Sequence, residues 1–135
     1  MVRKGTYILI FDLPEIRIEV GALGLIELSE GSYCYVGSAM NGLDQRLERH
    51  MSKKKKVRWH IDYLSTVCSC MEAYVVNDKS IPECGLCAVV QKNGGKGIAR
   101  GFGCSDCKCQ THLFGLTGEA KRKLTSDPCF TLYMR

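Results

Sequence analysis

Gly31-Ser32-Tyr33-Cys34-Tyr35-Val36-Gly37-Ser38-Ala39-Met40-Asn41-Gly42-Leu43-Asp44-Gln45-Arg46-Leu47-Glu48-Arg49-His50 changes its period halfway. The aromatic and β-branched residues up to Val36 favour a strand. Gly37 and Ser38 are expected to end it, and Asn41-Gly42 supplies turn chemistry and a candidate N-cap. From Leu43 onward, Leu43, Leu47 and Met51 recur every four residues and predict the buried stripe of a helix. Arg46 and His50 are also four apart and share a different face of that helix. Two readings are open on spacing alone. One is a polar functional constellation around Tyr35; the other is a core strand beside a salt-bridged surface helix.

On the N-terminal side, Gly5 to Asp12 alternates, with Tyr7, Leu9 and Phe11 on one side and Ile8 and Ile10 on the other. Both sides are apolar, which predicts a central strand. Pro14 interrupts it. Ile16–Val20 and Leu25–Leu28, bounded by Gly21 and Gly24, read as a hairpin-like insertion.

On the C-terminal side, Lys53, Lys54, Lys55, Lys56 and Arg58 form a basic run. It reads either as a solvated loop or as a phosphate-tracking patch with Trp59 beside it. His60 to Leu64 reads as a short helix, with His60 and Asp62 as second-tier site candidates able to point toward Tyr35. Val67–Val76 alternates like a strand returning to the sheet. Ser80-Ile81-Pro82-Glu83 has the form of a capping box, which gives Glu83 a full structural explanation. Leu86, Val89 and Val90 mark the buried face of the helix that follows, and Asn93-Gly94-Gly95 ends it. Gly97 to Phe114 shows no period and reads as a loop. Within it, Cys104, Cys107, Cys109 and His112 have a spacing that can close round tetrahedral zinc, although four ligands this close together are cramped. Glu119–Leu124 reads as a short basic helix and Cys129–Met134 as a last strand.

The 135 residues suit a single domain, 1–135, with a real core. The net charge of +5 is compatible with a polyanionic partner. No apolar run approaches the length of a membrane span, and no signal-peptide core is evident, so no membrane partner and a cytoplasmic location are expected. Nine cysteines in a chain of this length are many. In a reducing compartment they read as buried small hydrophobes, metal ligands or a reactive thiol.

Tyr35-Val36-Gly37 followed by a helix carrying Arg46 and His50 resembles the second half of the GIY-YIG nuclease signature, and Gly5-Thr6-Tyr7 is similar to its first strand. Gly37-Ser38-Ala39 and Trp59-His60-Ile61-Asp62 resemble in particular a small branch of that superfamily found alone or fused to endonuclease III. The similarity extends through nearly the whole chain. It departs from the usual pattern between Tyr7 and Tyr35, where a long insertion replaces a tight hairpin.

The resemblance implies an α/β (α+β) fold, a small mixed or antiparallel sheet flanked by helices, with an insertion between the two tyrosine strands. It implies a divalent-metal-dependent endonuclease that hydrolyses phosphodiester bonds, a hydrolase of DNA repair or processing. Tyr7 and Tyr35 would then position and deprotonate water, Arg46 would contact the scissile phosphate, His50 would relay a proton, and Glu83 would hold Mg2+ or Mn2+. DNA is the expected nucleic acid ahead of RNA. The alternatives are a nucleic-acid-binding module without catalysis and a small zinc-binding structural protein.

Overall fold

A computed structural model describes residues 4–39, 42–53, 55–57, 59–77, 81–103 and 110–133. The alternating run at the N-terminus is strand β1 (Gly5–Leu13). It lies at the centre of a six-stranded sheet, paired on one side with β4 (Gly31–Ala39) and on the other with β5 (Cys70–Val76). β2 (Ile16–Val20) and β3 (Gly24–Leu28) form a separate two-stranded hairpin between β1 and β4. The insertion therefore leaves the sheet and returns, and β1 and β4 still pair directly, with Tyr7 opposite Gly37 and Leu9 opposite Tyr35.

Helices α1 (Leu43–Met51) and α2 (His60–Ser65) cover one face of the sheet. α3 (Glu83–Lys92) and α4 (Gly118–Thr125) cover the other. The two-fold period of β1 sorts its side chains accordingly. Tyr7, Leu9 and Phe11 join Tyr35, Leu43, Leu47, Ile61 and Leu64 in one core. Ile8 and Ile10 join Val36, Leu86, Val90 and Leu124 in the second. The fold is a small α+β domain, an antiparallel sheet flanked by helices.

Several local expectations change. Gly37 and Ser38 do not end the strand but lie inside β4, because Gly37 faces the ring of Tyr7 and needs no side chain there. α1 begins after Gly42, whose positive φ of 113° suits glycine; Asn41 is outside the described residues. The stretch expected to be one long loop contains the end of β6 (Lys96–Ile98) and the start of β7 (Leu113–Leu116), which pair with each other while β7 pairs with β4. The last strand, β8 (Phe130–Leu132), is shorter than its predicted span and adds to β5. No helix of the described residues is long and apolar enough to cross a membrane.

Candidate functional site

The pleat puts Tyr7 and Tyr35 on the same face of the sheet, since residues two apart on β4 (Tyr35 and Gly37) point the same way and Gly37 sits opposite Tyr7. The Tyr7 ring occupies the space where a side chain at position 37 would be. A Cβ built on Gly37 would lie 2.5 Å from the Tyr7 hydroxyl oxygen. The hydroxyl is 2.7 Å from Nε2 of His50, which is buried with Leu43 and Leu47 on the core side of α1 and not on the separate face expected for it. Tyr7 and His50 are each 1% exposed and Tyr35 8%.

Burial pushes both tyrosine hydroxyls well above their ordinary pKa, and the nearby Arg46 charge pulls them partly back. Burial, reinforced by the Lys55 charge, pushes His50 down to about 3, so its ring is neutral near pH 7. Its Nδ1 is buried and has no hydrogen-bond partner among the described residues.

Ser38 joins the two layers at the end of β4. Its backbone carbonyl accepts a hydrogen bond from Arg46 Nη1 at 2.7 Å, on the tyrosine side. Its hydroxyl donates to Glu83 Oε2 at 2.5 Å, from the first turn of α3. The other carboxylate oxygen, Oε1, lies 2.8 Å from Nδ1 of the fully buried His112.

This corrects the capping-box reading. Pro82 is the N-cap and Glu83 the first helical residue, and its carboxylate turns away to Ser38 and His112; Ser80 is outside the described residues. Burial alone would raise the Glu83 pKa. The contacts from His112 and Ser38 outweigh it and hold the carboxyl below its ordinary value. Glu83 also adds to the field that raises both tyrosines, which puts its charge within range of them.

Around this centre the remaining candidates divide. Trp59 lies under two guanidinium groups, with Arg46 Cζ 4.6 Å and Arg49 Cζ 4.4 Å from its ring centroid. Arg49 grips the fully buried Asp62 through both nitrogens at 2.9 Å, and Asp62 also accepts from the Trp59 backbone N–H. Asp62 thus has a structural partner set that fixes α2 against α1. His60 Nδ1 accepts from the Gly103 backbone N–H at 2.9 Å, and its ring stacks toward Phe102, which packs on Tyr35. Gly103 has φ +73°, and a Cβ there would lie 2.9 Å from the Tyr35 ring.

The lysine run is only partly a solvated face. Lys55 donates to the Arg49 and His50 carbonyls at the end of α1, and Lys53 donates to the carbonyls of Ser65 and Cys68. Lys56 is exposed, while Lys54 and Arg58 are outside the described residues. So are Cys104, Cys107 and Cys109; of that proposed zinc set only His112 is described, and it is committed to Glu83.

Sequence reading missed Ser38 and the role of His112. A serine inside a strand and a histidine in an aperiodic stretch carry no local signal of a partner more than 25 residues away.

Among the described residues no group of three or more His, Cys, Asp and Glu side chains could hold a metal ion. A single anionic carboxylate remains, and that is sufficient for a hydrated Mg2+ completed by substrate phosphate. The model of a family described as a domain of unknown function, DUF123, matches residues 6–132. No curated protein and no solved structure matches the chain.

Proposed function

We propose that this chain, which belongs to the DUF123 family, is a divalent-metal-dependent nuclease of the GIY-YIG type that hydrolyses phosphodiester bonds in nucleic acid, DNA before RNA. The observation that carries the reading is the assembly at one strand end. Tyr7 from β1, Tyr35 from β4, Arg46 and His50 from α1 and Glu83 from α3 gather around Ser38, the Tyr7–His50 bond being 2.7 Å and the Arg46 and Glu83 anchors 2.7 and 2.5 Å.

Glu83 would hold Mg2+ or Mn2+. Its carboxyl is kept ionised, and each oxygen is engaged by one partner only, which leaves lone pairs for a hard cation. When bound, the ion supplies positive charge to the phosphate oxygens and acidity to a coordinated water. Arg46 is fixed by the Ser38 carbonyl and the Trp59 face, and its remaining donors suit a phosphate oxygen. The tyrosine hydroxyls orient the attacking water. In its Nδ1-protonated tautomer, the neutral His50 accepts at Nε2 a hydrogen bond from the Tyr7 hydroxyl and holds that hydroxyl in place, its burial keeping the ring uncharged. The setting is the cytoplasm, where thiols such as Cys34, Cys68 and Cys87, each buried, stay reduced.

The burial of Tyr7 supports a second reading, a nucleic-acid-binding module without catalysis. One experiment separates the two: a cleavage screen with Mg2+ or Mn2+ over single-stranded, duplex, branched and flap DNA and RNA. Divalent-dependent cleavage is expected, lowered roughly 10²–10³-fold by Arg46→Ala, the loss typical of one charge-stabilising donor. Glu83→Gln should abolish the metal dependence while the protein still binds its substrate. Binding without cleavage under every condition would leave only the second reading.

A further inference from the structure

A cleft of about 510 Å3 opens between α3 and β6, and nothing in the chemistry above uses it. One wall is a single stripe of α3, Cys84, Cys87, Ala88 and Gln91, at the i, i+3, i+4, i+7 spacing that lines one helix face. The opposite wall is β6 and the turn after it, with Ile98 and Arg100 from one side and Gln110 from the other. Two of its lining residues place it. Cys84 follows Glu83 and Thr111 precedes His112, so the cleft begins one residue along the chain from each.

Three features define what fits. Among the described lining residues Arg100 is the charged side chain, and its guanidinium suits a phosphate oxygen. Gln91 and Gln110 each offer an amide donor and an amide acceptor, the pattern that reads a base edge. Ala88, Ile98 and Phe114 give an apolar boundary for a flat ring. A nucleotide inside a strand has one phosphate charge, a polar base edge and an apolar base face.

The turn that presents Arg100 is also held under strain. Ala99 has φ +53°, a left-handed region that alanine adopts only where its surroundings impose it. Here Phe102 N–H donates to the Ala99 carbonyl at 2.9 Å and Gly101 N–H to the Gln110 carbonyl at 2.6 Å. Strain kept at a cleft wall is the pattern of a binding turn.

We infer that this cleft receives one unpaired nucleotide of the bound strand, with Arg100 on its phosphate and Gln91 and Gln110 on its base. The inference rests on the nucleic-acid reading of the neighbouring site, and it adds that the substrate carries an unstacked base next to the reacting bond.

The test measures binding without divalent ion, so that it does not depend on cleavage. Wild type, Ala88→Trp (which fills the cleft) and Arg100→Gln are titrated by fluorescence anisotropy with a labelled single-stranded DNA octamer, with the same octamer carrying one abasic site at successive positions, and with the matching duplex. The expected result is single-strand preference, with a loss of about tenfold for an abasic site at one position only, within the range of one base contact. Ala88→Trp should bind more weakly and be blind to that abasic site. Arg100→Gln, an exposed change that does not threaten folding, should reduce the logarithmic salt slope by about one.

Wild-type affinity and salt slope in both variants, equal tolerance of abasic sites everywhere, or no binding to any octamer would each overturn the inference. Cleft-dependent binding without cleavage would remove the nuclease reading and leave the cleft. Cleavage that Ala88→Trp leaves unchanged would do the reverse.

Discussion

Replacing Gly37 by alanine adds one methyl group at the centre of the candidate site. Its backbone φ lies outside the left-handed region, so alanine meets no conformational penalty there, and in an ordinary strand the change would be neutral or stabilising. The obstacle is the Tyr7 ring. The new carbon would lie 2.5 Å from Cζ and Oη and 2.9 Å from Cε2, against about 3.5–4.0 Å for a relaxed contact. The ring must withdraw by about 1 Å to restore that contact, which takes the hydroxyl out of reach of His50.

Overpacking of this kind costs about 1–3 kcal/mol, and stranding a buried hydrogen-bond partner adds about 1 kcal/mol. The total of roughly 2–4 kcal/mol corresponds to a melting temperature lowered by roughly 6–15 °C for a domain of this size. Calorimetric melting of Gly37→Ala, Tyr7→Leu and the double variant reads it directly. Leucine vacates the disputed space, so Gly37→Ala should cost little in the Tyr7→Leu background. A melting temperature for Gly37→Ala within 1–2 °C of wild type, or an equal loss in both backgrounds, would refute the packing account.

The folded chain should lose stability in mild acid through His50, which titrates at about 3 in place and at 6.5 when exposed. Below pH 6.5 the unfolded chain takes up a proton that the folded chain refuses. Stability is therefore complete above that pH and falls by up to about 1.4 kcal/mol per unit toward pH 3, or about 2 kcal/mol at pH 5. Denaturant titrations of wild type and His50→Gln from pH 4 to 8 check this, the variant having the flatter profile. Asp62→Ala should cost about 3–5 kcal/mol, because it leaves Arg49 without its buried partner; a loss under 1 kcal/mol by urea titration would contradict the pairing. Changing Lys53 to Lys56 together to serine should flatten the salt dependence of nucleic-acid binding and also lower stability by about 1 kcal/mol, since Lys55 caps α1. Elemental analysis should find less than one zinc per chain, because His112 is already engaged by Glu83.

The sheet was largely legible because its signals are local. Apolar residues on both sides of Ile8 and Ile10 can belong only to a strand covered twice, and the Leu43, Leu47, Met51 stripe fixed the face of α1. The errors fall where a residue answers to something distant in the chain. Gly37 carries the local mark of a break, and only the Tyr7 ring from another strand explains it. Glu83 sits in a sequence that satisfies a capping box, so nothing nearby reveals that Ser38 and His112 claim its carboxylate. β6 has three residues, one of them glycine, too few for a period to register. Strand and helix periods place the tyrosines, Arg46 and His50 on their elements, and the family resemblance singles them out as candidates, whereas Ser38 contributes a backbone carbonyl that every residue possesses and a hydroxyl whose partner lies far along the chain.

β4 meets β1 in a single register, from Gly31 opposite Leu13 to Ala39 opposite Gly5. A slip of one position would exchange the roles of Gly37 and Ser38. A hydroxymethyl group would enter the space of the Tyr7 ring, and the groups that hold Arg46 and Glu83 would each face the wrong layer. A misaligned sheet therefore cannot build the cluster, even though its hydrogen-bond ladder could be nearly complete. A ligand that needs this cluster would bind only correctly aligned chains and by mass action would draw the population toward them. A ligand held there would thus proofread strand alignment through two adjacent residues, one lacking a side chain and one contributing to both layers.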